Sequence, residues 1–255
     1  MSTLSVDRYL DRINHRGSLT PTADTLRALH VAHLLSVPFE NLSIQAGEQI
    51  VLDDVALFDK IVRRRRGGFC YELNGLFAWL LRSAGFEVTM LAAEVMNALG
   101  DYGLPFDHMT LLVTLEEDWL VDVGFGDSFL EPVRLAPQVV QTQHDRAYRI
   151  DATGEQLYLM QRVGSAAWRA QYRFTLQPHQ YPDYAEMCRY HQTSPESPFT
   201  QRRVCSMAMM DGRVTLTDRR LITTRSSERE ERELPSQQAC ADALRDYFGV
   251  VLTVS

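Results

Sequence analysis

Lysine is almost missing from this chain: Lys60 stands alone against twenty-five arginines. The imbalance has the character of a coding bias, and no function is read from it. Basic charge is short as a whole, with 26 basic against 33 acidic residues and a net charge of -7. Such a surface repels polyanions, which excludes nucleic acid as an expected partner. The four cysteines, Cys70, Cys188, Cys205 and Cys240, form no CxxC pair and no dense framework, so they read as reduced thiols. An uninterrupted apolar run of ~20 residues is also lacking, and MSTLSVDRYLDRINHR carries charges where an export signal needs its apolar stretch. No membrane association is expected, and the expected location is cytoplasmic. With only 10 prolines and 14 glycines in 255 residues, a disordered, collagen-like or repeat-built chain is excluded too. What is left is a globular protein of one to three closely packed subdomains.

The first stretch, to about Gly85, has helical spacing. In PTADTLRALHVAHLLS, Leu26, Leu29, Ala32, His33 and Leu34 follow Thr and Asp at the entry, and Pro38 lies just past the end. A second helix is predicted from about Asp53 to Arg64, acidic at its start and arginine-rich at its end. In CYELNGLFAWLLRSAG, residues Leu73, Leu76, Phe77, Leu80 and Ala84 make the stripe of a helix packed on a core, with Gly85 as its stop.

From Phe86 the period becomes two. Phe86 to Ala92, His108 to Leu115 and Trp119 to Val123 read as strands, the last two joined by a turn at Glu116, Glu117 and Asp118. Further strands are predicted at Ala147 to Ile150, Gln156 to Arg162 and Trp168 to Leu176, enough for a sheet or small barrel. The Ser/Pro-rich QYPDYAEMCRYHQTSPESPF reads as a boundary holding a short helical segment. Beyond it, Asp211 and Gly212 mark a hairpin, and Ser236 to Phe248 is a helix stopped by Gly249. The expected organisation is residues 1–85 helical, 86–180 a β-barrel, 181–203 an interdomain linker region and 204–255 a C-terminal α/β unit.

Cys70 follows Arg66, Gly67, Gly68 and Phe69 and opens the third helix. A helix N-terminus directs free N–H groups and about half a positive charge at that position, which favours a thiolate. A lone cysteine there is more often a small core residue, so a base and an orienting acid are needed beside it. His108 opens one strand, and Asp122 interrupts the apolar VDVGFG. A buried carboxylate needs a hydrogen-bonding partner, and an imidazole N–H supplies one. Simple hairpin pairing does not bring the two together. With the turn centred on Glu117, Asp122 opposes Leu112, four residues and roughly 13 Å along the strand from His108. A bulge, a twisted strand start or indirect pairing has to close that gap.

RGGFCYELNGLF around Cys70, PFDHMTLLV around His108, VDVGFG around Asp122 and the upstream PTADTLRALHVAHLLSVPFENLSI together resemble the arylamine N-acetyltransferases, including the bacterial N-hydroxyarylamine O-acetyltransferases. The resemblance runs from about Tyr9 to Phe129, weakens to Phe199 and is general beyond. It implies an α+β fold: a helical bundle and a β-barrel arranged as in papain-like Cys-His-Asp enzymes, with a C-terminal α/β lid. It also implies that Cys70, His108 and Asp122 form a catalytic triad and that Glu40 and Arg66 form a buried ion pair supporting the active-site loop. By the same resemblance Phe39, Val95, Phe125 and Phe199 line the acceptor pocket.

The implied reaction is ping-pong transfer of acetyl from acetyl-CoA, as co-substrate, to arylamines, arylhydrazines or N-hydroxyarylamines through an acetyl-cysteine. No metal is implied, and the partners are CoA and a small aromatic amine or hydrazine, with the chain a monomer or homodimer. Papain-like proteases, transglutaminases and the family's own amide synthases use the same residue types in this order, so amide hydrolysis or amide formation stays open. So does a binding protein in which Cys70 is merely core. His30 and His33 have helical zinc-ligand spacing without an evident third ligand, and the Arg63 to Arg66 run reads as a basic helix end.

Overall fold

A computed structural model describes residues 4–225 and 228–252. The amino-terminal part contains α1 (Val6–Arg12), α2 (Ala23–Leu34), β1 (Phe39–Glu40), α3 (Leu42–Gln45), α4 (Asp54–Phe58) and α5 (Cys70–Ser83). The Thr22 side chain caps α2 by accepting from Thr25 N–H, and Asp53 caps α4 in the same way. The helix predicted from Asp53 to Arg64 is α4 followed by a π-helical turn, Asp59–Arg63, closed by Arg64 N–H on Asp59 O at 2.9 Å. Within that turn Lys60, Ile61 and Val62 are all buried.

Eight strands follow: β2 (Glu87–Val95), β3 (His108–Thr114), β4 (Asp118–Val121), β5 (Val133–Arg134), β6 (Gln141–Gln143), β7 (Arg146–Thr153), β8 (Gln156–Val163) and β9 (Arg169–Phe174). They form one antiparallel sheet in the order β5-β4-β3-β2-β9-β8-β7-β6, curled into a nearly closed barrel. Glutamine side chains bridge the seam between its two edges. Gln141 accepts from Arg134 N–H and donates to Arg134 O, while Gln143 accepts from the N–H groups of Leu130 and Glu131 and donates to Glu131 O. Each side-chain amide takes the place of a neighbouring strand's backbone.

The remaining elements are α6 (Tyr181–Thr193), α7 (Pro198–Gln201), β10 (Val204–Met209), β11 (Gly212–Thr217), β12 (Arg220–Arg225), β13 (Glu228–Glu233) and α8 (Gln237–Phe248). Strands β10 to β13 make an antiparallel sheet to which β1 adds as an edge, so the carboxy-terminal sheet borrows a strand from the helical part. The edge strand β13, EREERE, is exposed throughout, and its charges oppose further pairing.

Among the described residues the buried apolar side chains fall into three clusters. One lies between the helices and the outer face of β2 and β3, one fills the barrel, and one lies between α8 and the carboxy-terminal sheet. Strand β2 serves the first two at once, with Met90 in the helical core and Leu91 in the barrel, which is why its apolar alternation is incomplete. Within 181–203, Tyr184 and Cys188 of α6 are buried in the same core as α5. No helix among the described residues is long and apolar enough to cross a membrane.

Candidate active site

Cys70 is the first residue of α5 and is 2% exposed. Its helix start is fixed by a buried pair: Glu72 Oε2 accepts Phe69 N–H at 3.1 Å while Oε1 takes Lys60 Nζ at 2.7 Å. The chain's one lysine is therefore an internal counter-ion. The preceding loop runs hard against β1, where a Cβ on Gly67 would lie 1.9 Å from Pro38 O. Glu40 N–H bonds Gly68 O at 2.8 Å, and the fully buried Glu40 carboxylate takes Arg66 Nη2 at 2.9 Å and Nε at 3.0 Å. Its other oxygen accepts Leu42 N–H at 2.6 Å. The two residues expected to pair do meet, and they hold the Arg-Gly-Gly loop against the strand.

The hairpin between β3 and β4 differs from the sequence expectation in register. Leu111 pairs with Val121 and Thr114 with Asp118, which centres the turn on Glu116. Asp122 lies one residue past the end of β4 rather than inside a strand, and continuing the ladder sets it opposite Thr110. That is two positions from His108 and on the same face, because side chains alternate. The gap of roughly 13 Å halves without a bulge, and His108 Nε2 meets Asp122 Oδ2 at 2.7 Å.

Asp122 is held from every side. Its Oδ1 accepts from Asn74 Nδ2 at 2.9 Å and Gly124 N–H at 3.0 Å. Asn74, one helical turn after Cys70, also donates to Met109 O at 2.6 Å and accepts Val123 N–H at 2.8 Å, tying α5 to both strands. His30 of α2 donates Nδ1–H to Leu130 O and accepts Asp122 N–H at Nε2. Both its ring nitrogens are engaged in the fold, which accounts for this member of the HxxH pair. Burial alone would raise the Asp122 carboxyl, but the His108 ring, Asn74 and Gly124 N–H together hold it below the usual carboxylate range.

The sulfur behaves differently from the sequence expectation. A helix start favours thiolate, yet burial pushes the Cys70 thiol well above its ordinary value, with only the Met109 backbone N–H acting against this. The same N–H fixes where the sulfur lies: beside the residue that follows His108. On the other side the 122–126 loop passes so close that a Cβ on Gly124 would be 2.7 Å from Cys70 Cα. With Asp122 on Nε2, the His108 Nδ1 remains for proton exchange.

Of the expected pocket residues, Phe39 and Phe199 form a ring pair at 6.1 Å. Phe125 meets His108 edge-on at 5.3 Å and lies 5.3 Å from the Tyr172 ring. Val95 stands across the ladder from Tyr172 and packs on the barrel core, apart from the phenylalanine pair. Tyr172, which the sequence reading missed, is fully buried with its ring 5.2 Å from His108 and its hydroxyl 3.4 Å from Thr110 Oγ1. Asn74 was detectable as the polar residue one turn after Cys70 in an apolar helix. Tyr172 and His30 were not, since nothing local separates them from other core aromatics. Among the described residues no group of three His, Cys, Asp or Glu side chains is arranged to share a metal ion.

A family model described as N-acetyltransferase matches residues 22–255. The arylamine N-acetyltransferase of Escherichia coli strain K12 is 34% identical over 249 residues, 96% of this chain and 88% of that protein. The chain belongs to the arylamine N-acetyltransferase family. Proansamycin X synthase of Amycolatopsis mediterranei is 34% identical over 243 residues, 92% of this chain and 93% of that protein. The structure of the Mycobacterium marinum arylamine N-acetyltransferase in complex with CoA superposes with a TM-score of 0.90 at 35% identity, covering 96% of this chain and 93% of that one. Membership makes the chain an acyltransferase with the α+β architecture of arylamine N-acetyltransferases. The bundle supplies Cys70 and the barrel the His108 and Asp122 pair, with the Met109 N–H reaching from β3 to the sulfur.

Proposed function

We propose that this enzyme carries acetyl from acetyl-CoA to arylamines, arylhydrazines or N-hydroxyarylamines through an acetyl-cysteine on Cys70, with His108 and Asp122 completing the triad. The observation that carries the reading is a buried cysteine at a helix start, bonded by the N–H of Met109, the residue after a histidine that a hydrogen-bonded aspartate clamps. Because burial favours the thiol, the proton leaves as the sulfur attacks. His108 Nδ1 takes it, a carbon–sulfur bond forms to the acetyl carbonyl, and Asp122 stabilises the resulting imidazolium. Backbone N–H groups at the start of α5 are suited to the tetrahedral oxyanion, an effect worth ~3 to 4 kcal/mol per donor. The bond to CoA breaks, and His108 returns its proton to the departing thiolate.

In the second half the acceptor nitrogen or oxygen attacks the acetyl-cysteine and gives its proton to His108; the bond to Cys70 breaks and the sulfur recovers a proton. Arylamines are neutral at pH 7 and attack without prior deprotonation. Phe39, Phe125 and Phe199, with Val95 at the barrel side, bury the acceptor ring. The Glu40 and Arg66 pair serves by holding the loop that leads into Cys70. We assign the protein to the cytoplasm, as a monomer or homodimer.

Mass spectrometry after incubation with acetyl-CoA alone tests the proposal. One stable acetyl group on Cys70, discharged by an aniline-type acceptor with CoA already released, is expected. An unmodified protein, or acetyl on another cysteine, overturns it. An adduct that anilines cannot discharge would instead point to the amide-forming chemistry of the same triad.

A further inference from the structure

One buried imidazole near the site has no part in the proton transfers. His191 on α6 is 5% exposed and lies between the two segments on which the proposed reaction depends. Its Nε2 is 3.2 Å from the carbonyl of Asp107, the peptide that leads into His108, and its Nδ1 is 3.2 Å from Ser197 Oγ. Ser197 is fully buried and accepts Phe199 N–H at 3.2 Å. A carbonyl can only accept, so Nε2 carries the hydrogen, Nδ1 accepts, and the Ser197 hydroxyl, 3.3 Å from the His191 carbonyl as well, shares its proton between that carbonyl and the ring. The hydrogen bonds thus run one way, from Phe199 N–H through Ser197 and His191 to the Asp107 carbonyl. The ring also packs edge-on against Phe199 at 5.0 Å and Phe69 at 6.3 Å, the latter immediately before Cys70.

We infer that His191 is a positioning residue that couples the placement of His108 to that of the acceptor wall at Phe199. Burial lowers this ring to about 4, so it is neutral at physiological pH and keeps the donor and acceptor roles the geometry requires. No charge change is involved. The ring acts as a two-ended strut: one end steadies the start of β3, and the other holds α7. Removing the Asp107 end should slow the proton transfers through His108, whereas removing the Ser197 end should weaken acceptor binding and spare Cys70 acetylation. The inference rests on the two-step reading above.

Two amide substitutions separate the ends, because a glutamine N–H reaches the place of Nε2 and an asparagine oxygen that of Nδ1. His191→Gln keeps the bond to Asp107 and loses Ser197; Cys70 acetylation should stay within about threefold, while the acceptor KM rises by about tenfold. His191→Asn keeps Ser197 and loses Asp107; acetylation should slow by about tenfold with acceptor KM little changed. Ser197→Ala, the milder change should either amide fail to fold, is expected to behave as His191→Gln. The same pattern of acetylation rate and acceptor KM in all variants, or no change in any, overturns the inference.

Nitrogen-15 spectra of labelled histidine provide a readout independent of turnover. His191 should be neutral and Nε2-protonated, and His191→Asn should displace the His108 signals more than His191→Gln does. A charged or Nδ1-protonated His191, or undisturbed His108 signals in both variants, defeats the strut whatever the activity. Failure of the wild-type enzyme to acetylate Cys70 counts against the proposed reaction alone, and the spectra then decide on His191.

Discussion

Asp122→Asn isolates the electrostatic core of the site. Two donors, Asn74 Nδ2 and Gly124 N–H, converge on Oδ1, the His108 ring faces Oδ2, and the Tyr172 hydroxyl also bonds to this carboxylate. An asparagine must therefore turn its oxygen to the Oδ1 position and present its NH2 to His108. The ring can meet that donor only by taking Nε2 as acceptor, which moves its hydrogen to Nδ1, the atom that accepts the Cys70 proton in the proposed reaction. The swap is nearly isosteric and leaves the packing intact while setting the wrong tautomer. Where a carboxylate-to-amide change acts in this way the loss is about 10^4-fold, or about 5 kcal/mol of barrier. The assay is the single-turnover rate of Cys70 acetylation by acetyl-CoA, followed by rapid quench and mass spectrometry, with circular dichroism as the folding control. A folded variant acetylated within tenfold of wild type would refute the reasoning. The same carboxylate gives a stability signature. Its folded value lies below the unfolded ~3.9, so its contribution is complete above that pH and disappears as the pH falls through the lower folded value. Wild type and variant should differ in stability at pH 7 and converge in strong acid.

Arg66→Ala should cost ~3 to 5 kcal/mol in urea unfolding, since it leaves a fully buried Glu40 carboxylate without its counter-ion and with the Leu42 N–H still bonded; an unchanged midpoint would disprove the buried pairing. Asp107 has the opposite sign to Asp122. Burial raises it to about 6, against the Val95 N–H bond and the neighbouring His108 ring, so the folded state binds its proton more tightly than the unfolded state does. Its contribution is greatest in acid and is lost as pH rises from ~3.9 through about 6. Asp107→Asn keeps an acceptor for Val95 N–H and should flatten the melting temperature between pH 4 and 7 and raise it at pH 7.5. An unaltered pH slope would count against a buried, proton-binding Asp107.

Local physics was legible where one element decides the outcome. The caps at Thr22 and Ser236, the apolar stripe of α5 and the stop at Gly249 each follow from a few adjacent residues, whereas the hairpin expected to turn on Asp211 and Gly212 turns one residue earlier, on Met210 and Asp211, with Gly212 paired to Met209. Lys60 shows the limit of composition: a lone lysine among arginines carried no meaning until its partner Glu72 was found inside the protein. The hairpin register was out by a single turn position. That displaced Asp122 by two residues from its true opposite, because moving the centre of an antiparallel pair by one shifts every partner by two.

The sequence by itself determined which chemistry was available: a cysteine at a helix start, a histidine opening a strand, an acid among apolar neighbours, and four motifs whose order resembled one family. These are covalent facts and short-range preferences, and they survive without a fold. Only the tertiary structure decided that His108 and Asp122 meet and that Cys70 bonds the N–H of Met109, that Asp122 is held by Asn74 and His30 from separate helices, and that burial outweighs the helix start at the Cys70 sulfur. Those outcomes depend on solvent exclusion and on distances between segments remote in the chain. Desolvation is a property of everything that surrounds an atom, and no local stretch of sequence contains it.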